Sequence, residues 1–278
     1  MDLSLGSDNA PPVRAETAFR LFCSPADSRP ENYDRLAERA RFHLRHASCE
    51  RFGDLQTYVF EPSSAPRGTT LLIHGWGAEA SFLAAFAEPL RRAGSRVVLF
   101  DLPAHGLSGG RYTNLAGCAW AAHRIATLFG PINGIAGHSL GGLVSLWIAE
   151  GGPPLPTPIP PKRIALLACP NRFIDVTREF GAKLRLSAAT QLEFERRLSR
   201  IGARPLESFS AANLLKRVAC DVTLVHSLDD SEVKYANAQA IVATSPNVEF
   251  LPCQGLGHAK LLYDPTVIRT VVSFLVRD

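Results

Sequence analysis

The sequence lacks the features that mark several classes of protein. Its six cysteines form no CxxC pair, which argues against a zinc site or a disulfide framework and favours reduced thiols in a cytoplasmic protein. No apolar run approaches the roughly 18 residues of a membrane-spanning helix. Residues 1–12 are polar and acidic, so we expect no secretory signal. A formal net charge of only +4 gives no reason to expect nucleic acid as a partner.

The composition is that of a globular protein. Apolar residues make up 46% and charged residues 20% of the 278 residues, a length that a single α/β domain commonly reaches. From residue 69 onward, short apolar runs alternate with amphipathic stretches. We predict strands at 69–73, 96–100, 134–137, 164–168, 222–226 and 248–251, and helices at 80–93, 116–129, 140–150, 233–244 and 265–277. Strands that alternate with helices predict crossover connections and an α/β fold with a mostly parallel central sheet flanked by helices.

The remaining segments divide the chain around this alternating core. Residues 1–41 are predicted to form an N-terminal leader, irregular over 1–30 with a short helix at 31–41, and two strands are predicted within 41–60. The core then comprises residues 42–170 and 218–278. Residues 171–217 interrupt it with two amphipathic stretches. We interpret them as a small helical lid over the edge of the sheet at which open α/β sheets bind ligands.

Two segments admit a second interpretation. Residues 171–217 carry ten Lys and Arg against five Asp and Glu, an excess that either attracts anionic substrates or, as we favour, lies on solvated helix faces. Residues 151–161 are proline-dense, which excludes a helix or a central strand. We interpret them as a stiff surface loop, with a ligand for a proline-binding partner domain as the alternative.

The segment Gly137-His138-Ser139-Leu140-Gly141 has the form G-x-S-x-G and lies between a predicted strand and a predicted helix. A serine at such a turn is held in a strained conformation that exposes its hydroxyl. The flanking glycines remove side chains that would collide across the turn. We therefore interpret Ser139 as a nucleophile; the alternative is an ordinary strand-to-helix turn with an N-capping serine.

A serine hydroxyl needs a base, and the base needs an acid that orients it. The best candidate base is His258, which follows the predicted strand at 248–251 and so lies at the same sheet edge as Ser139. The other histidines lie on strands, within a helix or beside strand ends, and His138 is expected to point away from the site. Two carboxylates, Asp229 and Asp230, follow the predicted strand at 222–226, and the residue pattern alone leaves both open as the acid.

An oxyanion hole needs two N–H groups aimed at the developing negative charge. One is expected from Leu140, the residue after the candidate nucleophile. The other is expected from Trp76, in the loop that follows the predicted strand at 69–73. Gly75 lets the backbone of that loop approach a substrate, and the Trp76 indole is expected to line an acyl pocket, with a buried core tryptophan as the alternative.

These motifs resemble those of the α/β-hydrolase superfamily over about residues 42–278. The matching pieces are HGWG at 74–77, DLPAHGLS at 101–108, GHSLGG at 137–142, SLDDSEV at 227–233 and GH at 257–258. In the family pattern the acid stands three residues after a glycine whose place is taken here by Ser227, so the resemblance assigns the acid to Asp230. The sequence departs from the pattern at Ser227, at Ala104, which also replaces a glycine, and in the proline-dense segment.

The resemblance implies a serine hydrolase of the esterase-like branch. Because residue 139 is serine and not aspartate, the resemblance disfavours epoxide hydrolase and dehalogenase chemistry. No metal-ligand spacing and no dinucleotide-binding loop are visible, so we expect neither a metal nor a cofactor. The expected partner is a small to medium carboxylic ester. Thioesters, lactones, amides, carbon–carbon bonds and transfer to another acceptor are alternatives, a non-catalytic binding protein is less favoured, and the oligomeric state stays open.

Overall fold

The computed structural model describes residues 13–25, 36, 38–40, 42–49 and 53–277, with 42–49 described by their backbone alone. Its centre is one eight-stranded sheet of order β1-β2-β4-β3-β5-β6-β7-β8. The strands are β1 (Phe42–Cys49), β2 (Gly53–Phe60), β3 (Gly68–Ile73), β4 (Ser95–Phe100), β5 (Ile132–His138), β6 (Arg163–Leu167), β7 (Asp221–Ser227) and β8 (Glu249–Cys253). The first two strands are antiparallel to their neighbours, whereas β4, β3 and β5–β8 run parallel. The predicted mostly parallel sheet is confirmed.

Helices connect the parallel strands. In the described ranges they are α1 (Ala15–Phe22), α2 (Ala84–Arg92), α3 (Leu115–Phe129), α4 (Leu140–Glu150), α5 (Phe173–Lys183), α6 (Ala188–Ile201), α7 (Ala211–Leu215), α8 (Ala236–Thr244) and α9 (Pro265–Leu275). Short 3₁₀ turns lie at Ala80–Leu83, Leu206–Ser208 and Lys260–Leu262. The predicted helix at 80–93 therefore begins as a 3₁₀ turn, and the one predicted from 233 begins at Ala236. None of the helices in the described part of the chain is both long and apolar enough to cross a bilayer.

The sheet is buried on both faces, which places the core in two layers. Along β3, Leu71 and Ile73 belong to the apolar cluster on one face, and Leu72 belongs to the cluster on the other. Helices α3, α4 and α8 cover the first face, and α2 and α9 cover the second. A strand buried on both sides favours apolar residues on both faces, which is why β3 ends in the consecutive apolar residues at 71–73.

The topology brings distant parts of the chain to one edge of the sheet. Because β3, β5, β7 and β8 are parallel, the loops that follow them all emerge at their carboxyl ends. The order across the sheet places the loop after β5 between the loop after β3 on one side and the loops after β7 and β8 on the other.

The N-terminal leader differs from the sequence prediction. Residues 1–30 were expected to be irregular, but Ala15–Phe22 form helix α1, with Glu16 in its first turn and Arg20 in its last. These charges complement the helix dipole, and Ala18 is buried against the core. The helix is only eight residues long and is surrounded by proline-rich and serine-rich sequence, so its apolar pattern spans too few residues to predict a helix. The helix predicted at 31–41 lies largely outside the described residues.

The segment between β6 and β7 contains α5, α6 and α7, so the two predicted amphipathic helices are present with a third, short one. Several of its cations lie in ion pairs, as with Lys183 and Glu179 at 3.1 Å. The proline-dense segment 151–161 forms neither helix nor strand. It is attached to α4, because the Ile159 amide donates to the carbonyl of Ile148 and Leu155 is buried.

Candidate active site

Ser139 occupies a sharp turn between β5 and α4. Its backbone angles, φ 52° and ψ −122°, lie in a region that a residue with a side chain rarely adopts. Its side chain makes no capping hydrogen bond to α4, so the structure does not show the N-capping serine that the sequence left as the alternative. The Ser139 side chain lines a cavity of about 570 Å³.

The glycines around Ser139 are required by close packing. A Cβ at Gly137 would overlap the Gly141 carbonyl oxygen and Ser145 Oγ, and a Cβ at Gly141 would overlap the carbonyl oxygens of Ile73 and His74. Apart from Ser145 Oγ, these atoms are backbone oxygens of packed elements, which cannot move aside easily. The turn therefore forms only where both positions lack a side chain.

We expect Gly141→Ala to lower the free energy of unfolding by about 3 kcal/mol, because an inserted methyl group must displace two carbonyl groups. Gly255→Ala is the control: the φ of Gly255 is positive, 79°, but a Cβ there meets nothing within 4 Å. Its expected cost is about 1 kcal/mol of backbone strain alone. Urea denaturation of the two variants measures the difference, and equal costs would contradict the packing argument.

His258 and Asp230 are joined by a short hydrogen bond. His258 Nδ1 donates to Asp230 Oδ2 over 2.8 Å, and Asp230 is 3% exposed. The other oxygen, Oδ1, accepts from the amides of Glu232 and Val233, each at 2.9 Å. Burial alone would raise the pKa of Asp230, but the bonds from His258 and the two amides outweigh it and hold that pKa below its ordinary value. Asp230 is therefore held as an anion that accepts a hydrogen bond from His258 Nδ1.

His226 lies behind this carboxylate. Its Nε2 donates to the Val233 carbonyl oxygen over 2.7 Å and lies 3.5 Å from Asp230 Oδ2. Burial lowers the pKa of His226, so the ring is neutral and acts as a hydrogen-bond donor. The sequence predicts only that His226 lies beside a strand end, because nothing in the residue pattern shows which loop atoms it reaches.

Asp229 contacts the loop that carries His258 but not the imidazole itself. Its Oδ1 accepts from the Gly255 amide over 2.8 Å and from the Ser227 hydroxyl. Ser227 Oγ in turn accepts from the Leu256 amide over 3.3 Å. The hydroxyl of Ser227, foremost, lowers the pKa of Asp229. The serine that replaces the family's glycine therefore links the loop after β7 to the loop after β8.

His138 lines the cavity, which corrects the expectation that it points away. Its Nε2 donates to the backbone carbonyl of His258 over 3.0 Å, and the two rings lie 4.7 Å apart. Ser139 and His258 line the same cavity as His138. No hydrogen bond joins Ser139 Oγ to the imidazole among the described contacts, and such bonds often form only once substrate is bound.

The loop after β3 lies directly against Ser139. A Cβ at Gly75 would lie 2.9 Å from Ser139 Cβ, so only glycine permits this approach. Trp76 is half-buried and lines the cavity with Gly75 and Leu140. Its ring stacks on Phe22, with centroids 6.1 Å apart. The predicted site residues 75, 76, 139, 140 and 258 thus line one cavity, and Asp230 lies behind His258.

Two further histidines hold the loop after β3 in place. His105 Nε2 accepts from the Gly77 amide over 3.1 Å, while its Nδ1 donates to the Pro103 carbonyl. His74 Nε2 accepts from the Leu102 amide over 2.9 Å. Ala104 in this region has a φ of 62°, which explains in physical terms why glycine suits that position. Alanine accepts the same conformation at a cost in strain.

Acid is expected to destabilise the fold by protonating the buried imidazole rings of His105 and His138. Burial lowers the pKa of His105 and His138 to about 4, whereas an unfolded histidine titrates near about 6.5. Below pH 6.5 the unfolded chain therefore binds more protons than the folded one, and stability falls as pH falls, by up to about 1.4 kcal/mol per pH unit for each ring. Urea denaturation from pH 7.5 to 4.5 measures this slope.

The His105→Asn variant tests the cause of that slope. It removes one of the two rings and is expected to show a shallower decline over the same pH range. A free energy of unfolding that stays flat in the parent protein between pH 6.5 and 4.5 would contradict the assignment of both rings as neutral and buried.

The chain matches known proteins in sequence profile and in fold. Residues 70–269 match the profile of the α/β-hydrolase family. A comparison with curated protein sequences finds no significant match. The esterase Pf2001 of Pyrococcus furiosus has a similar structure, with a TM-score of 0.66 at 18% identity over 91% of this chain and 98% of that one.

Two other proteins of known structure also have a similar fold. Est1E from Butyrivibrio proteoclasticus gives a TM-score of 0.64 at 17% identity, over 84% of this chain and 97% of that one. The esterase Est2 of the planctomycete Thermogutta terrifontis gives 0.63 at 14% identity, over 86% and 96%. At these identities the likeness shows a shared fold. With the profile match, it shows that the chain belongs to the α/β-hydrolase family.

Proposed function

We propose that this protein is a serine hydrolase that cleaves carboxylic esters of small to medium size. One arrangement carries the proposal: Ser139, in its strained turn, opens on the same cavity as His258, whose other nitrogen is bonded to buried Asp230. Nucleophile, base and acid are the three groups that acyl transfer through an enzyme-bound ester requires.

The reaction then follows from the positions of these groups. Ser139 Oγ attacks the ester carbonyl carbon while His258 Nε2 takes its proton, and Asp230 stabilises the resulting imidazolium. The amides of Trp76 and Leu140 donate to the oxyanion. His258 gives the proton to the leaving alcohol, and water repeats the sequence on the acyl-enzyme to release the acid. No step calls for a metal or a cofactor.

The inserted segment supports the lid that the sequence predicted. Phe173, Val176, Glu179 and Lys183 all belong to α5 and all line the cavity. We propose that residues 171–217 cover the site as a lid over a core of residues 42–170 and 218–278. Lys183 lies 3.1 Å from Glu179, so a carboxylate balances its charge at the cavity wall.

The choice of an ester over related substrates rests on the cavity and on the neighbours. Apolar side chains supply much of the cavity wall: Phe22, Trp76, Phe82, Leu115, Phe173 and Val176. Est1E has been solved with ferulic acid bound, and its relatives in fold include two other esterases. An uncharged ester with an apolar acyl group suits such a wall.

Initial rates on substrates whose acyl part has four carbons test the proposal. The panel is p-nitrophenyl butyrate, a butyryl thioester, γ-butyrolactone and butyranilide. We expect the ester to give a kcat/KM at least about 10-fold above the others, because the reaction needs no extra activation of its leaving group. A higher value for the thioester, the lactone or the anilide would move the protein to that class of hydrolase.

A further inference from the structure

Phe22, at the end of helix α1, forms part of the wall of the active-site cavity. Its ring lies at the centre of an aromatic group. It stacks on Trp76 and meets the rings of Phe173, Phe180 and Phe194 edge-on, with centroids 6.0, 5.0 and 5.2 Å away. These rings come from the loop after β3 and from helices α5 and α6. Phe22 therefore connects the oxyanion loop with the inserted helices.

Helix α1 is held firmly enough to act as a wall. The Arg197 guanidinium of α6 lies 4.4 Å from the centroid of the Phe19 ring. The Cys23 carbonyl accepts from the Thr113 amide over 2.8 Å, and Cys23 is buried. Because the residues on either side of it, Phe19 and Cys23, are held in place, Phe22 presents a constant surface to a ligand.

The order of the strands decides which part of a substrate meets this wall. The leaving alcohol must face His258, because it takes its proton from that imidazole. His258 follows β8, which lies beyond β6 and β7 on one side of β5, whereas Trp76 follows β3 on the other side. With the carbonyl carbon at Ser139 and its oxygen on the amides of Trp76 and Leu140, we expect the acyl group to extend away from His258, along the wall where the rings of Trp76 and Phe22 stack.

We propose that Phe22 is a specificity-determining residue whose ring contacts the acyl group, and that the protein prefers esters of apolar acids of medium length over acetates. This inference rests on the proposed function. It assigns a part of substrate recognition to residues 13–25, which precede the region that matches the family profile at 70–269.

The test compares p-nitrophenyl octanoate with p-nitrophenyl acetate. We expect an octanoyl chain on Ser139 to be long enough to contact the Phe22 ring and an acetyl group to be too short. In Phe22→Ala we expect kcat/KM for octanoate to fall about 10-fold or more, with acetate changed by less than about 2-fold. Phe22→Leu keeps an apolar side chain in the cluster and is expected to give a smaller loss on octanoate. A ratio of octanoate to acetate that stays constant or rises in both variants overturns the proposal.

Leu21→Ala is the matched control. Leu21 is the neighbouring residue on α1, is 41% exposed and does not line the cavity, so its truncation is expected to leave the ratio unchanged. An equal loss on both esters in the Phe22 variants means a purely structural role for the ring and overturns the proposal. Thermal unfolding of each variant establishes that the fold persists.

Labelling with a small fluorophosphonate separates this inference from the function on which it rests. If the parent protein labels at Ser139 and hydrolyses esters, but the octanoate to acetate ratio is unchanged in Phe22→Ala, only the role of Phe22 fails. If the parent protein neither labels nor hydrolyses any ester of the panel, the proposed function fails and this inference fails with it.

Discussion

Replacing Ser139 by alanine is expected to remove ester hydrolysis, with kcat falling by about 10⁶-fold, the loss that follows when a serine nucleophile is deleted from such a site. The residual rate comes from the oxyanion donors and from binding. The variant is expected to stay folded, because the Ser139 side chain makes no capping hydrogen bond. Steady-state rates measure the loss of hydrolysis, and a fluorophosphonate probe measures the accompanying loss of labelling at residue 139.

Ser231→Ala is the control for that experiment. Ser231 is a second serine on the wall of the same cavity, so a probe that reacts with any accessible hydroxyl would label it as well. We expect labelling of Ser231→Ala at the parent rate. Labelling that persists in Ser139→Ala would reject Ser139 as the nucleophile. The protein would then either use another nucleophile or be the non-catalytic binding protein.

Asp230→Asn is expected to lower kcat about 10⁴-fold, because an amide at this position favours the wrong tautomer of the base and gives no charge to stabilise the imidazolium. Both oxygens of Asp230 are occupied, one by His258 Nδ1 at 2.8 Å and the other by two backbone amides. The pH profile of kcat/KM, measured beside the absolute rate, reports whether the remaining activity still depends on the imidazole.

Asp229→Asn separates the charge of the neighbouring carboxylate from its hydrogen bonds. The amide oxygen of asparagine can still accept from the Gly255 amide, so the loop that carries His258 is expected to keep its position. We expect a loss of less than about 10-fold, in line with a residue that acts at a distance from the reacting atoms. Equal losses of about 10⁴-fold in both variants would leave the identity of the acid undecided between them and would contradict the assignment to Asp230 alone.

The turn around Ser139 was predictable because its requirements are local. A backbone in a region that excludes most side chains, with carbonyl groups packed against two neighbouring positions, needs glycine at 137 and 141, and the sequence shows both. The parallel sheet was predictable for a similar reason, since strands buried on both faces give short segments rich in apolar residues. From these two features, the meeting of loops after β3, β5, β7 and β8 follows by topology.

The parts that escaped prediction depend on contacts between distant segments. Helix α1 is too short to give a clear period, and its ring contacts come from residues more than 50 positions away, as with Trp76. The bond from His138 to the His258 carbonyl depends on how two loops pass each other. The choice between Asp229 and Asp230 needed the family pattern, because adjacent carboxylates in one turn differ only in the direction of their side chains.

The aromatic group around Phe22 has a consequence for how this enzyme could change. Its members come from α1, α5, α6 and the β3 loop, and only Trp76 also belongs to the proposed chemistry, through its backbone. Random libraries confined to positions 19–23 and 173–194 would then vary acid selection while sparing the reactive centre. Changes in this group would therefore alter which acids the protein accepts without replacing Ser139, His258 or Asp230.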